Sequence, residues 1–175
     1  MGLRPAHCYR WDSPAYTRIS NNPKDAFIVG VPGSRLTRLE MGNPKGKFDV
    51  EISIVSEQNF LIRSNALEAA RKAINKVLED KVGSSNYKFL IRAYPHHVLR
   101  ENIMATGAGA DRVQSGMRAS FGKPIGTAAR VKKGRTIISV YVKNNEETIK
   151  NVKEALKKGL DKLPGKTKIA VRNIK

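Results

Sequence analysis

The residues best suited to chemistry gather in the stretch 105–126, ATGAGADRVQSGMRASFGKPIG, which holds five glycines and three cations, Arg112, Arg118 and Lys123. A glycine-rich loop bearing a lysine invites a nucleotide cradle, and the spacing rejects it. The Walker pattern needs a glycine, four residues, then Gly-Lys-Ser/Thr; here Gly122-Lys123 runs into Pro124, and Met117 stands where the first glycine should be. Gly107 and Gly109 begin a dinucleotide pattern whose third glycine is absent. His96 and His97 are adjacent, so in a strand they point to opposite faces and cannot chelate one metal. A structural role, or a base or phosphate contact, is left to them. His7 and Cys8 supply two ligands at most, and Cys8 as a nucleophile has no partner in the sequence. Asp111 is the sole carboxylate of the loop, and beside Arg112 it reads as an ion-paired brace rather than a general base. No catalytic constellation, metal site or cofactor is expected.

Binding a polyanion is the chemistry these residues do suit. Glycine lets backbone approach a crowded partner closely but loses the most conformational entropy on ordering, so a partner must supply the ordering energy. Arginine offers bidentate donors to phosphate and a flat face for stacking. The loop is entered past Arg100 and left past Arg130, Lys132, Lys133 and Arg135. It also carries Met117 and Phe121, which plain linkers avoid. RNA is therefore the expected partner, against the alternative of a solvated loop. Near the N-terminus, Tyr9, Arg10 and Trp11, with Tyr16 and Arg18 beyond, set aromatics beside guanidiniums. Two readings stand level there: stacking on unpaired bases with phosphate contact, or an arm folding its aromatics back on the domain.

Composition agrees with a polyanionic partner. The 175 residues carry 33 Lys+Arg against 15 Asp+Glu, a formal charge of +18 and a pI near 10.3. The excess is uneven: +5 over residues 1–47, +1 over 48–99, +6 over 100–135 and +6 over 136–175. A near-neutral scaffold thus presents basic extensions. An anionic membrane would call for a basic amphipathic helix with an aromatic apolar face or a long apolar run, and neither is present. The N-terminus lacks the apolar stretch of a signal peptide, and the single cysteine rules out an internal disulfide; a cytoplasmic protein is expected.

The length allows one domain. Five prolines make 1–46 an irregular basic arm, leaving 47–175 as a single α+β domain that contains the loop. KFDVEISIV at 47–55 alternates as a half-buried strand. A helix is predicted from Ser64, as N-cap, to about Lys81, ended by Gly83. YKFLIRAY at 87–94 reads as a strand, followed by a short one at about 97–102. Residues 127–131 and 136–143 are expected to form a hairpin turned by Lys133 and Gly134. A second helix from about Glu146, capped by Asn144 or Asn145, and a last strand at 166–171 complete the order. Two helices should cover one face of a mainly antiparallel or mixed sheet.

Four stretches then identify a family. RPAHCYR at 4–10, SNALEAARKAINK at 64–76, RAYPHHVLREN at 92–102 and GAGADRVQSGMRASFGKPIGTAARV at 107–131 resemble the archaeal and eukaryotic large-subunit ribosomal proteins of the L-ten-e type, counterparts of bacterial L-sixteen. The resemblance runs through nearly the whole chain. It implies an α/β hammerhead-like two-layer domain and no enzymatic activity. The implied partners are large-subunit ribosomal RNA near the 5S RNA and central protuberance, transfer RNA and neighbouring ribosomal proteins, with late joining in subunit assembly. The loop would reach toward the peptidyl transferase centre. Carried onto this chain, the loop motif makes Arg112, Gln114, Met117, Arg118, Phe121 and Lys123 its RNA-facing or tRNA-proximal members. The N-terminal motif places Arg4, Pro5, Tyr9 and Arg10 among RNA helices. Bacterial members have a different loop, so their modifications do not transfer. The competing readings are a free RNA-modifying or RNA-processing enzyme and an extraribosomal RNA-binding assembly factor.

Overall fold

Strand β2 (Val50–Ser56) turns Val50, Ile52 and Ile54 to one face, each almost wholly buried, and sets the inside of the molecule. The computed structural model describes residues 4–174 except 6, 7, 10, 18, 21, 23, 103, 106 and 114–119, and only the backbone of 111 and 113. β2 lies within a five-stranded antiparallel sheet with β1 (Glu40–Gly42), β4 (Tyr87–Ile91), β7 (Thr136–Val142) and β8 (Thr167–Asn173), in the order β1-β4-β7-β2-β8. Its inner face adds Tyr87, Phe89, Ile138 and Val140.

Helices α1 (Ser64–Lys81) and α3 (Glu146–Leu160) cover that face. α1 contributes Leu67, Ala70, Ile74 and Leu78, spaced at the helical repeat; α3 contributes Val152, Ala155 and Leu156. Where the helices cross, a Cβ on Gly159 would lie 2.4 Å from Ile74 Cδ1, so the approach requires glycine. Asn145 caps α3, its Oδ1 accepting from the Glu147 N–H at 3.1 Å. α1 begins differently from expectation. Its cap position is Arg63, with no side-chain cap hydrogen bond, and Ser64 is already helical. Gly83, at φ +84°, closes the other end by donating to Leu78 O.

A second antiparallel sheet, in the order β3-β6-β5, comprises β3 (Phe60–Arg63), β6 (Lys123–Val131) and β5 (His97–Glu101). One of its faces gives Phe60, Ile62, Ala129 and Val131 to the main core. The other carries Leu61, Leu99 and Ala128, against which Tyr9, Trp11 and Ile125 pack.

The α+β class with two long helices holds, while three further local expectations change beside the α1 cap. The predicted hairpin does not form: β6 pairs with β3 and β5, whereas β7 pairs with β2 and β4. The turn at Lys133 and Gly134 hands the chain from one sheet to the other, and each strand is flanked on both sides by partners distant in sequence. The loop is also shorter than 105–126, because β6 already starts at Lys123 and Ala110–Val113 form a single helical turn, α2. Finally, the anticipated single sheet is two.

Candidate nucleic-acid interface

The arm-covered face of the small sheet gathers two cations that the sequence singles out, Arg100 and Arg130, and a third that it does not, Arg63. Arg63 in β3, Arg130 in β6 and Arg100 in β5 each reach an aromatic of the arm. Their guanidiniums stand 5.8 Å from the Tyr9 ring, 4.9 Å from the Trp11 ring and 3.9 Å from the Tyr16 ring, respectively. Each contact is worth about 0.5–2 kcal/mol over such half-buried rings. Hydrogen bonds fix the arrangement. Trp11 Nε1–H donates to Val131 O at 3.1 Å, and Arg130 Nη2 donates to Trp11 O at 2.6 Å. Of the two readings of the arm, these aromatics follow the second and fold back on the domain.

His97 is the anchor beneath Tyr16. It is buried, and its Nδ1 accepts the Tyr16 N–H at 2.9 Å, while Val98 N–H donates to Tyr16 O at 2.8 Å. His96 faces outward, as the strand geometry predicted. Burial first, then the charges of Arg130, His96 and Arg100, hold the His97 imidazole below its ordinary pKa. A histidine in the unfolded chain titrates at about 6.5, so between that value and the lower folded one the unfolded chain binds the extra proton. Stability is therefore full above about pH 6.5 and falls as the pH drops below it. Protonation at Nδ1 also removes the acceptor for Tyr16. Acidification from about pH 7.5 to about pH 5 should lower the protection of the Tyr16 amide, its exchange rate taken relative to the intrinsic rate at each pH, in the wild type and not in His97→Phe. A Tyr16 amide equally protected at both pH values would contradict this linkage.

Beyond the arm, Lys132, Lys133 and Arg135 at the turn between the sheets are exposed, as are Arg112 and Lys123 at the loop. None of these five makes a salt bridge among the described residues. Arg4, in contrast, pairs with Glu101. Trp11, Tyr94, His96, Lys132 and Arg135 line an open cavity of about 540 Å³ between the sheets. Arg92 at its edge is committed elsewhere: Nε donates to Ser139 Oγ at 2.8 Å and Nη2 to Glu51 Oε1 at 3.2 Å. Phe121 is 86% exposed and lines a neighbouring cavity with Tyr16 and Arg100. Next to it Gly122 adopts φ +81°, and a Cβ there would lie 2.8 Å from the backbone of Glu101, so the loop can return against β5 only through glycine.

Arg10, Arg18, Gln114, Met117 and Arg118, expected to face RNA, lie outside the described residues. Sequence reasoning passed over Tyr94, Arg63 and Arg35. Alternation through Ile91, Arg92, Ala93 and Tyr94 marks the first as outward-facing. No cluster of metal-ligating side chains occurs among the described residues, and no helix there is long and apolar enough to cross a membrane.

Comparison with known proteins decides the family. The model of the ribosomal protein L16p/L10e family matches residues 14–170. The chain belongs to this family. Among its relatives, the large ribosomal subunit protein uL16 of Archaeoglobus fulgidus is 47% identical over 98% of this chain and 94% of its own length. Those of Methanococcus maripaludis and Staphylothermus marinus are 48% and 47% identical, covering 98% and 100% of this chain and 95% and 97% of theirs. A ribosomal protein of this family is a structural component, not an enzyme.

Proposed function

We propose that this protein is a structural constituent of the large ribosomal subunit in the cytoplasm, and that it binds large-subunit ribosomal RNA with the arm-covered sheet and its flanking loops. The observation that carries the reading is the set of exposed cations that make no salt bridge among the described residues, Lys123, Lys132, Lys133 and Arg135 on the strands and turn of the arm-covered sheet and Arg112 in the loop, beside aromatics that are already ordered. Phosphate contacts of this kind position a protein on RNA and dominate its affinity. Arg4, Tyr9, His96, Arg100, Arg130 and Phe121 border the same surface, and in this reading Arg10, Arg18, Gln114, Met117 and Arg118 contact RNA as well. His97 serves it from below by holding Tyr16. The finer placement follows the family resemblance: the protein sits near the 5S RNA and central protuberance, and the loop extends toward the peptidyl transferase centre and transfer RNA.

Sedimentation of a cell extract tests the placement. The protein should travel with the large subunit through a moderate-salt wash, and a wholly free pool would refute it. For the loop, changing Arg112, Arg118 and Lys123 together to alanine should lower the salt dependence of RNA binding by roughly one unit per lost phosphate contact. An unchanged slope would mean that these cations do not meet RNA.

A further inference from the structure

The start of α1 carries a second, unassigned feature. Two buried polar side-chain atoms, Arg63 Nη1 and Thr127 Oγ1, have no hydrogen-bond partner among the described residues. Both residues line the same cavity, of about 140 Å³, together with Arg35, Ser64, Asn65 and Gly126. Thr127 is more than nine-tenths buried. An orphaned buried hydroxyl or guanidinium N–H is costly, and native structures leave such groups unpaired where something else is meant to fill them.

The surroundings specify an anion. α1 is 18 residues long, its N-terminus has no side-chain cap, and its first turn holds no acidic residue, so its free N–H groups and dipole present positive potential at the cavity. No carboxylate lines the cavity. The nearest one along the helix, Glu68, is taken up by Arg71, at 2.6 and 2.8 Å. Arg63 therefore has no carboxylate partner among the described residues, and its guanidinium is steadied by the Tyr9 ring instead. Donors are thus gathered without a carboxylate to meet them. The volume is well below that of sites for drug-sized ligands, roughly 300–1,000 Å³, and suits a single tetrahedral oxyanion rather than a whole nucleotide.

We infer that the cavity bounded by Arg63, Thr127, Arg35 and the N-terminus of α1 is a seat for one phosphate group, and that its occupant is a backbone phosphodiester of RNA. This rests on the reading that the protein binds ribosomal RNA. Arg63 gives charge and a planar donor pair, Thr127 gives one neutral O–H donor, and the helix N-terminus gives backbone N–H groups.

The two side chains separate in a test on the full chain. Thr127→Val removes a hydroxyl without changing shape or charge. It should lower affinity for purified large-subunit RNA about tenfold, the size expected for a hydrogen bond to a charged group, and leave the salt slope alone. Because the hydroxyl is unpaired in the free protein, Tm should stay level or rise. Arg63→Gln should lower the salt slope by roughly 0.7–0.9, one phosphate contact. Titration of the ¹⁵N-labelled wild type with inorganic phosphate should give saturable shifts at the Asn65 and Ala66 amides that Thr127→Val weakens. If the wild type binds the RNA and both variants match it in affinity and slope, the seat is not used by RNA and the inference fails while the proposed function stands. Saturable phosphate binding together with unaltered RNA binding in the variants likewise overturns the RNA assignment. A wild type that fails to bind the RNA at all refutes the proposed function and this inference's choice of occupant; absence of phosphate-induced shifts removes the seat itself.

Discussion

Changing Lys132, Lys133 and Arg135 together to alanine should weaken binding to large-subunit RNA about a hundredfold or more at roughly 0.1 M salt, with the fold intact. Each phosphate neutralised contributes about 0.7–0.9 to the slope of log affinity on log salt, so three give somewhat over two units, and most of that is felt between about 1 M and 0.1 M. The three side chains are exposed and make no salt bridge among the described residues, so their loss removes no intramolecular partner. Surface changes of that sort usually move stability by less than about 0.5 kcal/mol. Filter binding across a salt series, alongside a thermal melt, checks both halves. A slope within experimental error of wild type would place these cations away from RNA.

The second large effect concerns stability. Phe89 is fully buried in β4, between Val140 of β7 and Met41 of β1 in the pairing register, and faces the helices. Phe89→Ala should destabilise the free protein by about 3–5 kcal/mol, through lost transfer energy and the cavity left behind. For a chain of this length that is a fall in Tm of roughly 6–20 °C. Phe121, 86% exposed, supplies the contrast. Phe121→Ala should leave the melt within about 0.5 kcal/mol of wild type. Urea titration of both variants settles the matter, and equal losses would mean that Phe89 does not anchor the core.

Elements that carry their own periodicity were readable without coordinates. KFDVEISIV alternates because one face of β2 meets two helices, and α1 and α3 show their apolar stripes plainly. The Asn145 cap was readable because a short side chain beside its own helix acts locally. What escaped was set by distant partners. FLIR at 60–63 is too short and too uniformly buried to show a period, so β3 was passed over. Nothing within Thr127–Val142 states that β6 and β7 will leave each other for separate sheets. In the candidate interface, the exposure of Arg112, Lys123 and His96 was legible from residue type and strand geometry. The folding back of Tyr9, Trp11 and Tyr16 depended on arginines some 50–120 positions away and was not.

The order β1-β4-β7-β2-β8 has a kinetic meaning. No two neighbours in that sheet are consecutive along the chain, and even the nearest partners, Gly42 and Lys88, are 46 positions apart. Val50 waits for Asn173. Loop-closure entropy must be met before any of these pairings is rewarded, which slows folding. During synthesis, one edge of β2 stays unpaired until residues 167–173 have emerged, and an open edge is a template for unwanted strands. The nascent chain is thus exposed to misassembly from the synthesis of β2 to that of β8, with the local turns of helix α1 able to form long before the sheet closes.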